Sequence, residues 1–302
     1  MPYDKIVMLD ENRMLHTFQF FLPSRSGQTL ANQVPFIIDP FNPPKFQRMG
    51  VTFDQMITNI DQCFATTKTG KFLVCVGFWD NTIKIFDTDN YKLIQSVCFH
   101  QDVVTCVTID DSDQFVVTGS RDGSVIVWRF NPKSGELEET PLHVLIGHDD
   151  TVTSVDVDSD LDLVVSGSQD STCILYSLSK GRYIRSIIRK ENAPISRIKI
   201  ISEGYIILFC SKNRCLSLYS LNAKLMKDVL VSNITCWFFL DHHYFLIGSN
   251  QGRLEIRKIH NLKMVEYFQF NEPLTAITAS EHYGFLIIGL MNGKMMIAKM
   301  GI

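Results

Sequence analysis

The chain has almost no excess charge of either sign. Its 302 residues carry 29 Lys and Arg against 32 Asp and Glu, a formal net charge of -3, so it lacks the basic face that proteins use to neutralise a phosphate backbone. No nucleic-acid partner is expected. Long apolar runs are also missing: none approaches the ~20 residues that span a bilayer, and Met1 to Asp10, charged at Asp4 and Lys5, holds no signal-like apolar core. Eight cysteines are present (Cys63, Cys75, Cys98, Cys106, Cys173, Cys210, Cys215, Cys236), but none in CxxC spacing. Most stand in apolar runs and read as reduced core thiols of a reducing compartment. The GxSxG, GxxxxGK[ST] and GxGxxG patterns are absent too, which removes common routes to acyl transfer and nucleotide binding. Together these absences predict an intracellular, soluble protein with no transmembrane segment, no cofactor and no metal.

What is present is a turn that returns. GFWD spans Gly77 to Asp80, GSRD Gly119 to Asp122 and GSQD Gly167 to Asp170; fainter copies are CSKN at Cys210 to Asn213, GSNQ at Gly248 to Gln251 and GLMN at Gly289 to Asn292. The fourth residues stand at 80, 122, 170, 213, 251 and 292, hence spacings of 42, 48, 43, 38 and 41. A period near forty residues marks a repeat architecture. Hydrophobic residues at 45% and charged residues at 20% fit a globular chain with a large core.

Within a copy, VVTCVTID, QFVVTGS, a tight turn and SVIVWRF read as three antiparallel strands. A fourth follows at 93–99, 143–147, 183–189, 225–231 and 264–270. Four short strands per repeat predict an all-β propeller blade, because each sheet buries its faces against its neighbours. The whole of 1–302 is read as a single propeller domain: an N-terminal hairpin at 1–21, a proline-rich extended loop at 22–50 (Pro23, Pro35, Pro40, Pro43, Pro44) and six recognisable blades at 51–302. Seven blades of four antiparallel strands are expected, the N-terminal region supplying a partial blade that pairs with the C-terminal strands; six blades is the alternative. Asn131 to Pro141, with Glu136, Glu138 and Glu139, explains the long spacing and reads as a solvated insertion.

The second copy holds His100, Thr118, Asp122 and Trp128, and the third His148, Ser166, Asp170 and Tyr176. His, Ser and Asp also make hydrolase triads, yet a set that recurs in two blades points to structure, since an active site is normally built once. The set resembles the structural network of WD40 repeats, in which the turn aspartate accepts from a loop histidine that a strand hydroxyl links to a strand aromatic. Cys210 and Cys215 span a turn and read either as metal ligands or as core or turn thiols. His242 and His243 read as a polar hairpin turn. Arg182, Arg185, Arg189 and Lys190 form a basic run on an outer strand, a solvated edge or a surface for acidic lipid or a partner.

Beyond the generic repeat, CVGFWDNTIKIFDTDNYKLIQSVCFHQDVVTCVTID at Cys75 to Asp110 resembles the carboxy-terminal propeller of BEACH-domain, neurobeachin-like proteins. The resemblance extends to GSRDGSVIVW (119–128), GHDDTVT (147–153), GSQDS (167–171), PFIIDPF (35–41) and FDQMI (53–57). It weakens after 190, where Asn213, Gln251 and Asn292 replace the turn aspartate. It implies a WD40 propeller that is not an enzyme: an interaction scaffold binding proteins or peptides through one face, acting in vesicle or endolysosomal traffic and autophagy, cytoplasmic and peripheral on endosomal or vesicle membranes. BEACH and PH-like domains in cis are implied if the chain is a fragment; a truncated gene model and a free-standing relative are the other readings. The resemblance places the residue before each turn marker on the narrower binding face: Trp79, Arg121, Gln169, Lys212, Asn250 and Met291. The rival reading is a generic WD40 adaptor, such as a ubiquitin-ligase substrate receptor or a subunit of a complex unrelated to trafficking.

Overall fold

The computed structural model describes residues 4–9, 14–20, 47–52, 60–90, 92–189, 192–280 and 284–299. Strands β1 (Asp4–Leu9), β2 (Met14–Phe20) and β3 (Gln47–Thr52) make an N-terminal sheet. Six blades follow. Blade 1 is β4 (Phe64–Thr66), β5 (Phe72–Cys75), β6 (Thr82–Asp87) and β7 (Leu93–Cys98). Blade 2 is β8 (Val104–Ile109), β9 (Phe115–Ser120), β10 (Val125–Asn131), β11 (Glu136–Leu137) and β12 (His143–Leu145). Blade 3 is β13 (Val152–Asp158), β14 (Leu163–Ser168), β15 (Thr172–Ser177) and β16 (Arg182–Ile188); blade 4 is β17 (Arg197–Ile201), β18 (Tyr205–Cys210), β19 (Cys215–Ser220) and β20 (Leu225–Leu230). Blade 5 is β21 (Ile234–Phe239), β22 (Tyr244–Ser249), β23 (Arg253–Lys258) and β24 (Met264–Gln269), and blade 6 is β25 (Leu274–Ser280), β26 (Phe285–Leu290) and β27 (Met295–Lys299).

The blade count corrects the expectation: six blades form, not seven of four strands each. The N-terminal hairpin does not complete a blade with the C-terminal strands. Its β2 edge is taken by β3, giving a separate sheet in the order β1-β2-β3, while the last repeat is a three-stranded sheet in the order β25-β26-β27. The pairing is local because Gln47–Thr52, just beyond the last proline of the proline-rich segment, carries every amide a ladder needs. The rest of that segment, PFIIDPF and FDQMI all lie outside the described residues.

Two compact units result. One comprises Met1–Thr52, Ile234–Arg257 and Met264–Ile302; the other comprises Phe53–Asn233 and Lys258–Lys263. In the larger unit the blades bury their faces against one another. Cys106, Val117 and Val127 of blade 2 share a cluster with Val155, Val164 and Ile174 of blade 3, and Val165, Cys173 and Leu175 of blade 3 share another with Ile198, Ile200 and Leu208 of blade 4. In the smaller unit Leu246 and Leu254 pack with Leu274, Ile277 and Ile288. Each such side chain contributes about 1.5–3 kcal/mol.

A repeated bulge stitches neighbouring blades. The ladder shifts register between Val104 and Cys106, Val152 and Ser154, and Ile234 and Cys236, leaving Thr105, Thr153 and Thr235 at the bulge. Each threonine hydroxyl is freed to reach two carbonyls. Thr105 Oγ1 meets Gly119 O at 3.0 Å and also Val152 O of the next blade; Thr153 Oγ1 meets Gly167 O at 3.0 Å and also Ile195 O. Thr235 Oγ1 meets Gly248 O at 3.1 Å and Leu274 O at 2.6 Å.

The 131–141 insertion is more than a solvated excursion. Its Glu136–Leu137 strand pairs with β10, Leu137 is buried, and Gln95 of β7 clamps the Leu137 backbone, donating to its carbonyl at 3.1 Å and accepting from its amide at 2.8 Å. Phe72 and Phe130 meet edge to face alongside, 6.0 Å between centroids. Leu137 alternates inward while Glu136, Glu138 and Glu139 remain exposed.

Candidate functional site

The recurrent turn resolves into four residues with four tasks, starting with the glycine. A Cβ on Gly119 would lie 2.5 Å from Val152 Cγ1, and one on Gly167 would lie 2.5 Å from Ile198 Cδ1. Glycine is needed there for close approach of the next blade, not for a left-handed backbone. The serine ties the turn to the entry of the innermost strand: Ser120 Oγ donates to Val103 O at 2.9 Å and accepts from the Asp122 amide at 3.2 Å. In three copies the amide of the third residue is fixed by the strand entry. Arg121 N–H donates to Val103 O, Gln169 N–H to Thr151 O and Met291 N–H to Pro273 O, each at 2.9 Å. The fourth is the marker, and the residue after it is left-handed in all six copies: Asn81, Gly123, Ser171, Arg214, Gly252 and Gly293, with φ between 53° and 79°.

In blade 2 the marker anchors a network. Asp122 Oδ1 accepts the Ser124 hydroxyl at 2.6 Å and amide at 2.8 Å, while Oδ2 accepts the Gln101 amide at 2.9 Å and faces His100 Nδ1 at 3.2 Å. His100 Nε2 lies 2.9 Å from Thr118 Oγ1, to which Trp128 Nε1 donates at 3.2 Å. Blade 3 repeats it: His148 Nδ1 to Asp170 Oδ2 at 2.9 Å, Nε2 to Ser166 Oγ at 2.7 Å, and the Thr172 hydroxyl to Asp170 Oδ1 at 2.6 Å. Tyr176 takes the place of Trp128, and burial pushes its phenol up to about 12. Burial would raise both carboxyls, but the hydrogen bonds from histidine, hydroxyl and amide outweigh it and hold them below the usual range. Burial lowers the His148 pKa, partly offset by Asp170. His100, Thr118, Trp128, Ser166 and Tyr176 are all buried, so these groups brace hairpins and face no substrate.

The other blades substitute. Asp80 of blade 1 accepts from Thr82 Oγ1 at 2.6 Å and pairs with Lys84 Nζ at 3.0 Å, and that ammonium stands 4.0 Å from the centroid of buried Phe78. Blade 5 buries Glu255 between Arg253 and Arg257, at 3.1 and 2.7 Å. Alternation in Arg253-Leu254-Glu255-Ile256-Arg257 places those three on one strand face, a pattern visible in the sequence itself. In blade 4, Arg189 corrects the reading of a basic run on an outer strand: it is 5% exposed, and its Nη1 donates to Ser217 Oγ. Lys190 lies outside the described residues.

The six positions expected to contact a partner emerge on the surface. Trp79 is 75% exposed and Met291 71%; Gln169, Lys212 and Asn250 are exposed, and Arg121 is half-buried beside Asp102, 3.7 Å away. Trp79, Arg121, Gln169 and Lys212 occupy equivalent turns of the four successive blades of the larger unit; Asn250 and Met291 occupy the same repeat position in the smaller one. Seven cysteines are buried and Cys98 is exposed. Burial pushes the Cys106 thiol up to about 12 and raises Cys75 and Cys173 as well, so these thiols stay protonated. Among the described residues no group of three His, Cys, Asp or Glu is arranged to hold a metal ion. Also among them, no helix is long and apolar enough to cross a membrane.

Six sheets in hairpin order, with the Asp–His–hydroxyl–aromatic network in two of them, define a WD40 β-propeller, a scaffold fold. Residues 44–301 match the neurobeachin β-propeller domain, and the chain belongs to that family. It is 31% identical over 258 residues to BEACH domain-containing protein B of Arabidopsis thaliana, covering 78% of this chain and 10% of that protein. To BEACH domain-containing protein lvsE of Dictyostelium discoideum it is 28% identical over 318 residues, covering 97% and 14%. The chain thus spans only 10–14% of the length of these relatives. Among solved structures, U3-55K superposes with a TM-score of 0.67 at 11% identity, over 78% of this chain and 76% of that one. That likeness speaks for the fold alone.

Proposed function

We propose that this propeller is a noncatalytic protein-interaction module serving vesicle or endolysosomal membrane traffic, binding partners through the turns headed by Trp79 and Arg121. The observation that carries the reading is that these two turns are closed by backbone hydrogen bonds, Asn81 N–H to Phe78 O at 3.1 Å and Gly123 N–H to Ser120 O at 3.3 Å, with Trp79 exposed within the first. A tryptophan 75% exposed on such a turn presents a large apolar surface with little entropy left to lose, and Trp and Arg are the residues that most often dominate binding energy. Arg121 remains available because a surface pair such as Arg121 with Asp102 is worth at most about 1 kcal/mol. Membership of a family whose relatives are BEACH-domain proteins supports the trafficking context and the presence of BEACH and PH-like domains in cis. Peripheral attachment to endosomal or vesicle membranes follows from that context. Proximity labelling with the full-length protein tests it: endosomal and vesicle proteins are the expected neighbours, while a ubiquitin-ligase or RNA-processing neighbourhood would replace this reading with the generic adaptor.

A further inference from the structure

Blade 4 departs from the network at several positions together. Counted from the marker Asn213, Cys210 stands where blades 2 and 3 have Gly119 and Gly167, and Cys215 stands where they have Ser124 and Thr172. The two thiols are register partners across β18 and β19. Opposed residues on antiparallel strands hold their Cα atoms about 4.5–5.5 Å apart, inside the roughly 4.4–6.8 Å that a disulfide bridges. Cys210 is fully buried; Cys215 keeps 6% of its surface in solvent, next to exposed Arg214.

A cation completes the set. Arg189 Nη1 donates to Ser217 Oγ, which stands 3.6 Å from Cys215 Sγ, and the guanidinium also hydrogen-bonds the Cys215 thiol. In blades 2 and 3 the loop histidine reaches the same slot, His100 Nδ1 to Ser124 Oγ and His148 Nδ1 to Thr172 Oγ1, both at 3.0 Å. Blade 4 therefore puts a fixed positive charge on a thiol where its neighbours put an imidazole on a hydroxyl.

We propose that Cys210 and Cys215 form a peroxide-responsive dithiol, with Arg189 as the residue that positions Cys215. The Cys215 sulfur attacks one oxygen of hydrogen peroxide; the O–O bond breaks, and the departing hydroxide takes up the Cys215 proton as water, leaving Cys215 sulfenic acid. Cys210 sulfur then attacks the Cys215 sulfur, the S–O bond breaks, and a second water leaves with the Cys210 proton. Two thiols are oxidised by two electrons in total and one peroxide is reduced. The disulfide closes the hairpin that carries Lys212, and the chemistry stands whatever Lys212 contacts.

The test treats the whole chain with one equivalent of hydrogen peroxide, alkylates the remaining thiols and maps tryptic peptides. Trypsin cuts after Lys212 and Arg214, so a bridged pair of peptides carrying Cys210 and Cys215 is diagnostic and is the expected product. In Cys210→Ser the reaction should stop at a Cys215 sulfenic acid that a 1,3-dione traps. Arg189→Gln should slow Cys215 oxidation about tenfold, with Arg189→Lys restoring most of the rate. Recovery of both thiols alkylated while exposed Cys98 is oxidised would overturn the proposal, as would a bridge from Cys210 to Cys173; the wild-type map decides the question without any variant.

Discussion

Asp122 and Trp79 stand at neighbouring positions of the same repeated turn and are opposites in physical terms. The aspartate is held by hydroxyl, amide and imidazole, and the tryptophan touches mostly solvent. That contrast gives the network a pH signature. The folded pKa values of Asp122 and Asp170 are depressed, so their contribution is complete above the ordinary Asp value near ~3.9 and is lost as pH falls below it. His148 is depressed too, which means the fold favours its neutral form; that contribution is present above the ordinary His value near ~6.5 and is lost as pH falls through it. Thermal melts from pH 8 to pH 3 should fall in two stages, one setting in as pH drops below about 6.5 and one below about pH 4, and His148→Gln should remove the upper stage. A melting temperature flat between pH 7 and 5 would show that His148 is not buried in the neutral form. At this scale the marker, histidine, hydroxyl and aromatic were legible in the sequence through their resemblance to the WD40 network, repeated in two copies. The glycine's task was not, because what it avoids is a side chain on another blade, some thirty residues away.

At the scale of elements, the fourth strands at 93–99, 183–189, 225–231 and 264–270 were legible to within a residue or so, since each is a short apolar, β-branched run at the same place in the repeat. The insertion was misjudged. Three glutamates made 131–141 look solvated, and the one residue that anchors it, Leu137, is a single apolar side chain in an acidic run whose partner, Gln95, lies 42 residues upstream. Leu137→Ala should cost about 2–3 kcal/mol in chemical denaturation, a loss that a free loop would not produce. Arg189 misled for the reverse reason. Its charge resembles those of Arg182 and Arg185 on the same strand and turn, yet the end of β16 leads inward to Ser217, and only the three-dimensional path of the chain shows that.

For the molecule as a whole, periodicity counted the repeats correctly but not how the ends pair. Six turn markers implied six blades, and the extra hairpin at 4–20 suggested a seventh; β3, from a segment that proline content had marked as loop, captured that hairpin in a sheet of its own. The architecture that results is braced by polar networks and bulge threonines and offers side chains on turns whose backbones are fixed, which is what an interaction scaffold requires. The account therefore stands or falls on those turns. The decisive comparison is partner capture by the wild-type propeller and by Trp79→Ala with Arg121→Glu, each checked by thermal melt in the same preparation. Surface changes of this kind should cost no more than about 0.5 kcal/mol each, so the account predicts an unchanged melt with specific partners lost from the double variant. Undiminished capture by a double variant that melts like the wild type would contradict it.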